Sequence, residues 1–182
     1  VAAIGSLQIS NFTTSNVIGL SALQVGRLKA LQVRGLGAGL VDVLTTVQVA
    51  ALESDGIRGL SLEQVQVLDS AQVGVFDEQQ IEAFSTAQVS AFVSSVVAGF
   101  RVDQLAAFTS RQVGALGVDV VAGLTSAQLA GFGTDGIRGL RGEQLGALVT
   151  TTLLGLSFGQ VAVFGSAQLA GLTPLQVSAL SS

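Results

Sequence analysis

Large apolar residues recur along this chain every eight positions, in two interleaved series. One runs from Ile4, Phe12, Leu20 and Leu28 to Leu172 and Leu180, and all 23 of its positions are Leu, Phe or Ile. The other runs from Val1, Ile9, Val17 and Val25 to Leu169 and Val177, and all 23 are Val, Ile or Leu. No insertion or deletion breaks either series. A period held this strictly places the chain among the repeat architectures before any other assignment is made. The polar positions keep the same step. The unit reads [Leu/Phe]-[Thr/Ser/Gly]-x-x-Gln-[Val/Ile/Leu]-x-[Ala/Gly], and its fifth slot is Gln in 15 of 22 occurrences, from Gln8 to Gln176. The residue before each Leu or Phe is Ala, Gly or Val, except at Asn11 and Arg27.

Thr or Ser followed three residues later by Gln is a capping box, in which the hydroxyl takes a first-turn N–H and the Gln reaches back to the N–H of the cap. Thr45 with Gln48, Ser85 with Gln88, Thr109 with Gln112 and Thr125 with Gln128 fit it. Each octad therefore proposes a new helix start. One continuous helix is excluded by its own geometry: eight residues at about 100° each leave about 80° of drift per repeat, so the apolar series would wind around the axis. The pattern predicts short helices of five or six residues joined by tight turns. The rival is a β-solenoid with stacked Gln, since Val, Thr and Phe suit strands. Its strands need strict alternation, whereas the apolar spacing here is five and three.

Magnitudes require the units to stack. Ordering one octad costs on the order of 8–16 kcal/mol of backbone entropy. Its two large apolar side chains return roughly 1.5–3 kcal/mol each when buried. Only shared burial between neighbours closes that gap, as in repeat proteins generally. The small Ala/Gly slot is expected to let adjacent turns approach closely. We therefore read residues 1–182 as a single all-α octapeptide-repeat solenoid. A longer repeat is superimposed: residues 36–60 match 116–140 at 13 of 25 positions, including Asp55-Gly-Ile-Arg-Gly-Leu60 against Asp135-Gly-Ile-Arg-Gly-Leu140. The loss of Gln at 16, 56, 96 and 136 hints at a 40-residue modulation. It reads either as a superhelical turn of five octads or, the reading we favour, as the trace of a duplication.

Composition narrows the function classes. The chain has no His, Cys, Met, Trp or Tyr, a single Pro (Pro174), and 8 basic against 12 acidic residues. Its hydrophobic fraction of 49% is foreign to disordered chains. Lys29 is the one lysine and the net charge is −4, so there is no basic footprint for nucleic acid. Without His or Cys there is no Ser-His-Asp triad and no imidazole- or thiolate-ligated zinc. The acids Asp69, Asp77, Glu78 and Glu82 do not follow a calcium-loop pattern. We assign no catalytic, cofactor-binding or metal residues, no cofactor and no enzyme activity. Val1-Ala2-Ala3-Ile4 does not read as a signal peptide, and the repeat is already in phase there, which points to a processed chain or a piece of a longer array.

Three stretches invite a functional reading and a plainer one. Leu145–Val163 is apolar enough for a membrane span, yet the octad runs through it in phase. Phe76, Phe84, Phe92, Phe100 and Phe108 form either an aromatic binding strip or a core packed ring on ring, and the core is expected. Asp55–Arg58 and Asp135–Arg138 are either repeated contact sites or surface ion pairs worth only ~0.2–0.5 kcal/mol.

The tandem units Leu44–Leu52, Phe84–Phe92 and Leu124–Phe132 resemble repeats of very long exported bacterial proteins described as adhesin-like or haem-utilisation-like exoproteins. The octad phase carries that resemblance over the whole chain. It implies a cell-surface or extracellular location. The chain has no His, Met, Cys or Tyr to ligate haem, so a haem role is not carried over. With the core slots inside, the outward slots hold small residues and few charges, where soluble domains ordinarily carry more charge of both signs. The expected function is that of a structural protein whose copies associate, laterally or head to tail, into a fibre, sheath or surface layer. An adhesin stalk or binding solenoid is the alternative, and a membrane-associated assembly the third reading. Nucleic acid is not expected as a partner. The core assignment is tested by Leu124→Asp, which buries a carboxylate among apolar side chains. Its helical circular dichroism should fall sharply; an unchanged signal would refute the two-series core.

Overall fold

A computed structural model describes residues 5–180, the side chain of Ser6 excepted. Val1 and Ile4, which open the two apolar series, lie outside the described residues. Contacts divide the chain into two compact units, Val1–Ala91 and Phe92–Ser182. Both are all-α, and no strand occurs among the described residues. The helices are short, from four residues in Ser70–Val73 to seven in Gly133–Gly139, with one per octad. The octad with Val93 at the cap slot and Val96 at the Gln slot has no side-chain cap and winds as a 3-10 helix, Ser94–Gly99.

In each unit a helix packs on its third neighbour along the chain. In the first unit Ala22–Gly26 meets Thr46–Ala50, Ala30–Arg34 meets Ser54–Gly59, and Ser54–Gly59 meets Glu78–Ala83. In the second, Val102–Leu105 meets Ser126–Gly131, Ser110–Ala115 meets Gly133–Gly139, and Thr150–Leu153 meets Pro174–Leu180. Three octads thus complete one coil, so the coil is 3 × 8 = 24 residues. A superhelical turn of five octads is not what either unit builds. Eighty residues is ten octads, not a whole number of coils, so the longer repeat is separate from the coil.

Both apolar series face inward. From Ile9 to Leu153 the Val series is at most 3% exposed, and from Leu28 to Leu148 the Leu/Phe series is at most 5%. The phenyl rings meet edge to face inside. Phe76 and Phe84 lie 5.3 Å apart in the first unit. In the second, Phe92–Phe100, Phe100–Phe108 and Phe108–Phe132 are 5.4, 5.6 and 5.9 Å apart. Edge-to-face packing puts positive ring edges against negative faces. These rings form core, not a surface strip.

The small slot brings backbones together. A Cβ built on Gly59 falls 2.3 Å from the Ala30 carbonyl oxygen, and one on Gly139 falls 2.0 Å from that of Ser110. Gly131, Gly155 and Gly171 repeat the arrangement against Val102, Ser126 and Gly142. In each case the contact is 29 residues back, one coil earlier. Gly133 has a different reason to be glycine: with φ +64 it turns the chain in the left-handed region between Ser126–Gly131 and Gly133–Gly139. Gly139→Ala must therefore push two coils apart. We expect a loss of about 1–3 kcal/mol, the usual range for overpacking, read as a lower urea midpoint. An unchanged midpoint would show that the coils yield freely.

Candidate functional site

Among the described residues, a recurrent constellation of polar side chains is buried from Gln32 to Gln176. The Gln slot is inward like the apolar slots: Gln144 is fully buried, and Gln64, Gln72, Gln80 and Gln176 nearly so. Each of these amides joins two helices. Gln48 Oε1 accepts from the backbone N–H of its own cap residue, Thr45, at 2.9 Å, while Thr45 Oγ1 accepts from the Gln48 N–H at 3.3 Å. This is the full capping box, found at all four positions where the sequence predicts it. The same Gln48 then donates from Nε2 to the carbonyls of Val17 and Leu20, at 2.9 and 2.8 Å. Those carbonyls belong to the C-terminal end of a helix one coil earlier.

The arrangement recurs with constant offsets. Gln64 donates to Val33 and Leu36, Gln128 to Val97 and Phe100, Gln144 to Val113 and Leu116, and Gln176 to Leu145 and Leu148. For these amides the acceptors are 31 and 28 residues back, at the Val and Leu/Phe slots, whereas Gln160 donates to the Ala130 carbonyl, 30 residues back. A primary amide has two donor hydrogens and one acceptor oxygen, and all are used. Because Oε1 faces an N–H and Nε2 faces two carbonyls, only one orientation of the amide satisfies the site. No buried side-chain nitrogen or oxygen among the described residues lacks a partner.

The helical expectation assigns Gln to the cap and places Gln between coils only in the β-solenoid rival, so the combination of both roles in one amide is new. The missing signal lies in its partners, which are backbone carbonyls and have no residue identity. The burial of an amide at a fixed phase between two apolar series was the legible hint. The cap half proves broader than Ser and Thr. Asp69 and Asp77 are full caps, accepting from the N–H groups of Gln72 and Gln80 at 2.7 and 2.8 Å. At Lys29, Arg101, Arg141 and Gly165, Gln Oε1 still takes the cap N–H, but the cap residue supplies no side-chain acceptor in return.

The Asp-Gly-Ile-Arg-Gly motif is the main departure from the clamp in the first unit. Gly56 stands at the Gln slot, and Asp55 beside it accepts from the Ala30 N–H at 3.3 Å, capping the helix of the preceding coil. Asp55 thus serves the earlier coil while Arg58 is exposed beside it. Gly59 closes the gap by direct backbone approach to Ala30. In the second copy Gly139 makes the same close approach, to Ser110, and Asp135 and Arg138 are exposed. At Thr152 a hydroxyl stands in for the amide and reaches only the Leu124 carbonyl, at 3.5 Å.

The outer surface gathers little chemistry. Ion pairs Lys29–Glu53, Arg101–Asp103 and Arg141–Glu143 are solvent-exposed. Two guanidinium hydrogen bonds from Arg101, at 3.1 and 3.0 Å, hold the Asp103 carboxyl below its ordinary pKa. An open groove lined by Ala50–Asp55, Asp77, Gln79 and Gln80 carries three acids, Glu53, Asp55 and Asp77. Among the described residues no group of three or more His, Cys, Asp or Glu is placed to hold a metal. Among them, too, no helix is long and apolar enough to cross a membrane. Leu145–Val163 is divided among Gly142–Gly146, Thr150–Leu153 and Phe158–Val161.

No protein-family model matches the chain, and none of the curated proteins compared with it does. The clamp itself is testable. The sequence places Gln128→Ala at about 0.5–2 kcal/mol for a lost cap. Its inter-coil bonds add two stranded carbonyls at about 1–3 kcal/mol each. Gln144→Glu goes further, because it keeps the capping oxygen and aims the second oxygen at two carbonyls. Burial and those carbonyls raise the introduced carboxyl above the ordinary value of about 4.3. Its stability is therefore retained below about pH 4.3 and lost as pH rises through the folded-state pKa. Urea midpoints should recover toward wild type at acid pH; equal losses at pH 4 and pH 7 would contradict the donor role.

Proposed function

We propose that this chain is a structural repeat protein whose copies associate into a fibre, sheath or surface layer outside the cell. The observation that carries this reading is the uniformity of the coil interface. One amide clamp and one pair of apolar series join coil to coil within each unit, and any coil carrying them is a chemical match for another. Repeat arrays of this kind extend by nearest-neighbour stacking. The polar chemistry is largely consumed in holding coils together, and the titratable groups outside do not converge. The location rests on the resemblance to exported adhesin-like repeats.

A second reading, an adhesin stalk or binding solenoid, is favoured by isolated apolar side chains on the outside. Leu7, Leu31 and Phe158 are 84%, 70% and 90% exposed, and Phe158 is the one Phe outside the core series. Sedimentation and electron microscopy of the purified chain separate the two. Association that grows with concentration and produces regular filaments or sheets is the expected result. Isolated thin rods would favour the stalk, and a stable monomer at high concentration would overturn the assembly reading.

A further inference from the structure

We propose that a groove on the first unit, flanked by Arg34 and Arg58, binds the phosphate group of a phosphate monoester whose apolar body lies against Leu62. Such binding neither needs assembly nor precludes it.

The repeat places the two arginines together. Each follows the Val or Ile of its octad, and they stand 58 − 34 = 24 residues apart, the length of one coil. Their helices, Ala30–Arg34 and Ser54–Gly59, pack on each other. Both side chains are exposed, and both line one open groove of about 440 Å³ together with Ser61, Leu62 and Ser85. Among the described residues neither makes an ion pair. Asp55, three residues before Arg58 in its own helix, accepts from the Ala30 N–H instead. Residues 30–41, around Arg34, contain no acid. Glu82, one coil beyond Arg58 in the same slot, does not line the groove.

Arginine stays charged at any working pH, and its planar fork donates paired hydrogen bonds to phosphate oxygens. Two like charges in one groove repel, and a bound anion removes that cost. A phosphate monoester carries a charge of about −1.5 to −2 near pH 7, which matches two guanidinium groups, whereas a sulfate ester is singly charged. Ser61 adds a further donor. Its Oγ accepts from the Gln64 N–H at 3.2 Å, and among the described residues its hydroxyl hydrogen donates to nothing. The hydroxyls of Thr45, Ser85 and Thr109 are instead spent on the Oε1 of their own Gln. Leu62 lines the same groove while 47% exposed, so the body that carries the phosphate meets an apolar wall. The 80-residue repeat does not copy the pair: Arg138 stands at the position of Arg58, but Gly114 stands at that of Arg34. Arg138 is therefore an internal control, a single arginine in the same slot.

Nitrogen–proton NMR of the whole chain, titrated with phenyl phosphate at low salt, tests the site. The Nε–H signals of Arg34 and Arg58 and the backbone N–H signals of Ser61 and Leu62 should shift together and saturate, while the Arg138 Nε–H stays in place. Arg34→Gln and Arg58→Gln should each weaken the affinity about tenfold, and Arg138→Gln should leave it unchanged. All three side chains are exposed, so each variant should match the wild-type circular dichroism. Inorganic phosphate, which lacks the apolar body, and phenyl sulfate, which lacks the second charge, should both bind more weakly. Shifts that do not saturate, or equal shifts at Arg138, would overturn the site. Wild-type affinity in either Arg34→Gln or Arg58→Gln would overturn the paired clamp. Inorganic phosphate or phenyl sulfate binding as tightly as phenyl phosphate would overturn the assignment to a phosphate monoester.

Discussion

Helices of four to seven residues are close to untenable by themselves, and the Gln amide is what makes them tenable here. The first four N–H groups and last four carbonyls of any helix lack intrahelical partners, so in helices this short nearly every backbone group is terminal. Nucleation is also paid afresh for each one, since the first turn fixes several dihedrals for one hydrogen bond. Gln144 answers both problems with one side chain: its oxygen takes the N–H of Arg141, and its nitrogen takes the carbonyls of Val113 and Leu116. A helix start in one coil is thereby joined to a helix end in the coil before. With the amide fully buried, each of these bonds is made away from competing water.

The remaining slots follow from that constraint. For the amide to reach back, coils must lie close, and the glycine or alanine before most of the Leu/Phe positions permits it. At Gly56, where the amide is missing, another device appears: Asp55 caps Ala30–Arg34 from the next coil while Gly59 brings the backbones together. The Asp-Gly-Ile-Arg-Gly motif is therefore accounted for in the first unit as a close-packed substitute for the clamp. Its second copy keeps the glycine contacts, with Asp135 on the surface.

Much of this was legible from residue order. The two apolar series, the helical unit and the four capping boxes all rest on spacings of eight residues or fewer, and local chemistry is written in local sequence. The number of octads per coil was not legible. It depends on how successive helices turn relative to one another, and each octad carries the same core pattern whether three or five make a coil. The other end of the Gln clamp was hidden for a related reason: its acceptors lie 28 and 31 residues away and are backbone atoms, which any residue supplies. Asp69 and Asp77 were passed over as scattered acids, although both stand at the cap slot three residues before a Gln. The functional reading draws on the outside of the coils, where residue types vary most and the octad imposes least.

The central claim is that the buried Gln amides hold adjacent coils together, and hydrogen exchange of the side-chain amide protons measures it directly. In two-dimensional nitrogen–proton NMR of a dilute sample, Nε2 protons of Gln64, Gln144 and Gln176 should exchange with deuterium as slowly as the backbone N–H groups of their own helices. Those of Gln8 and Gln24, which make no inter-coil bond among the described residues, should exchange at the rate of a free primary amide. Uniformly fast exchange at all five positions would contradict the clamp.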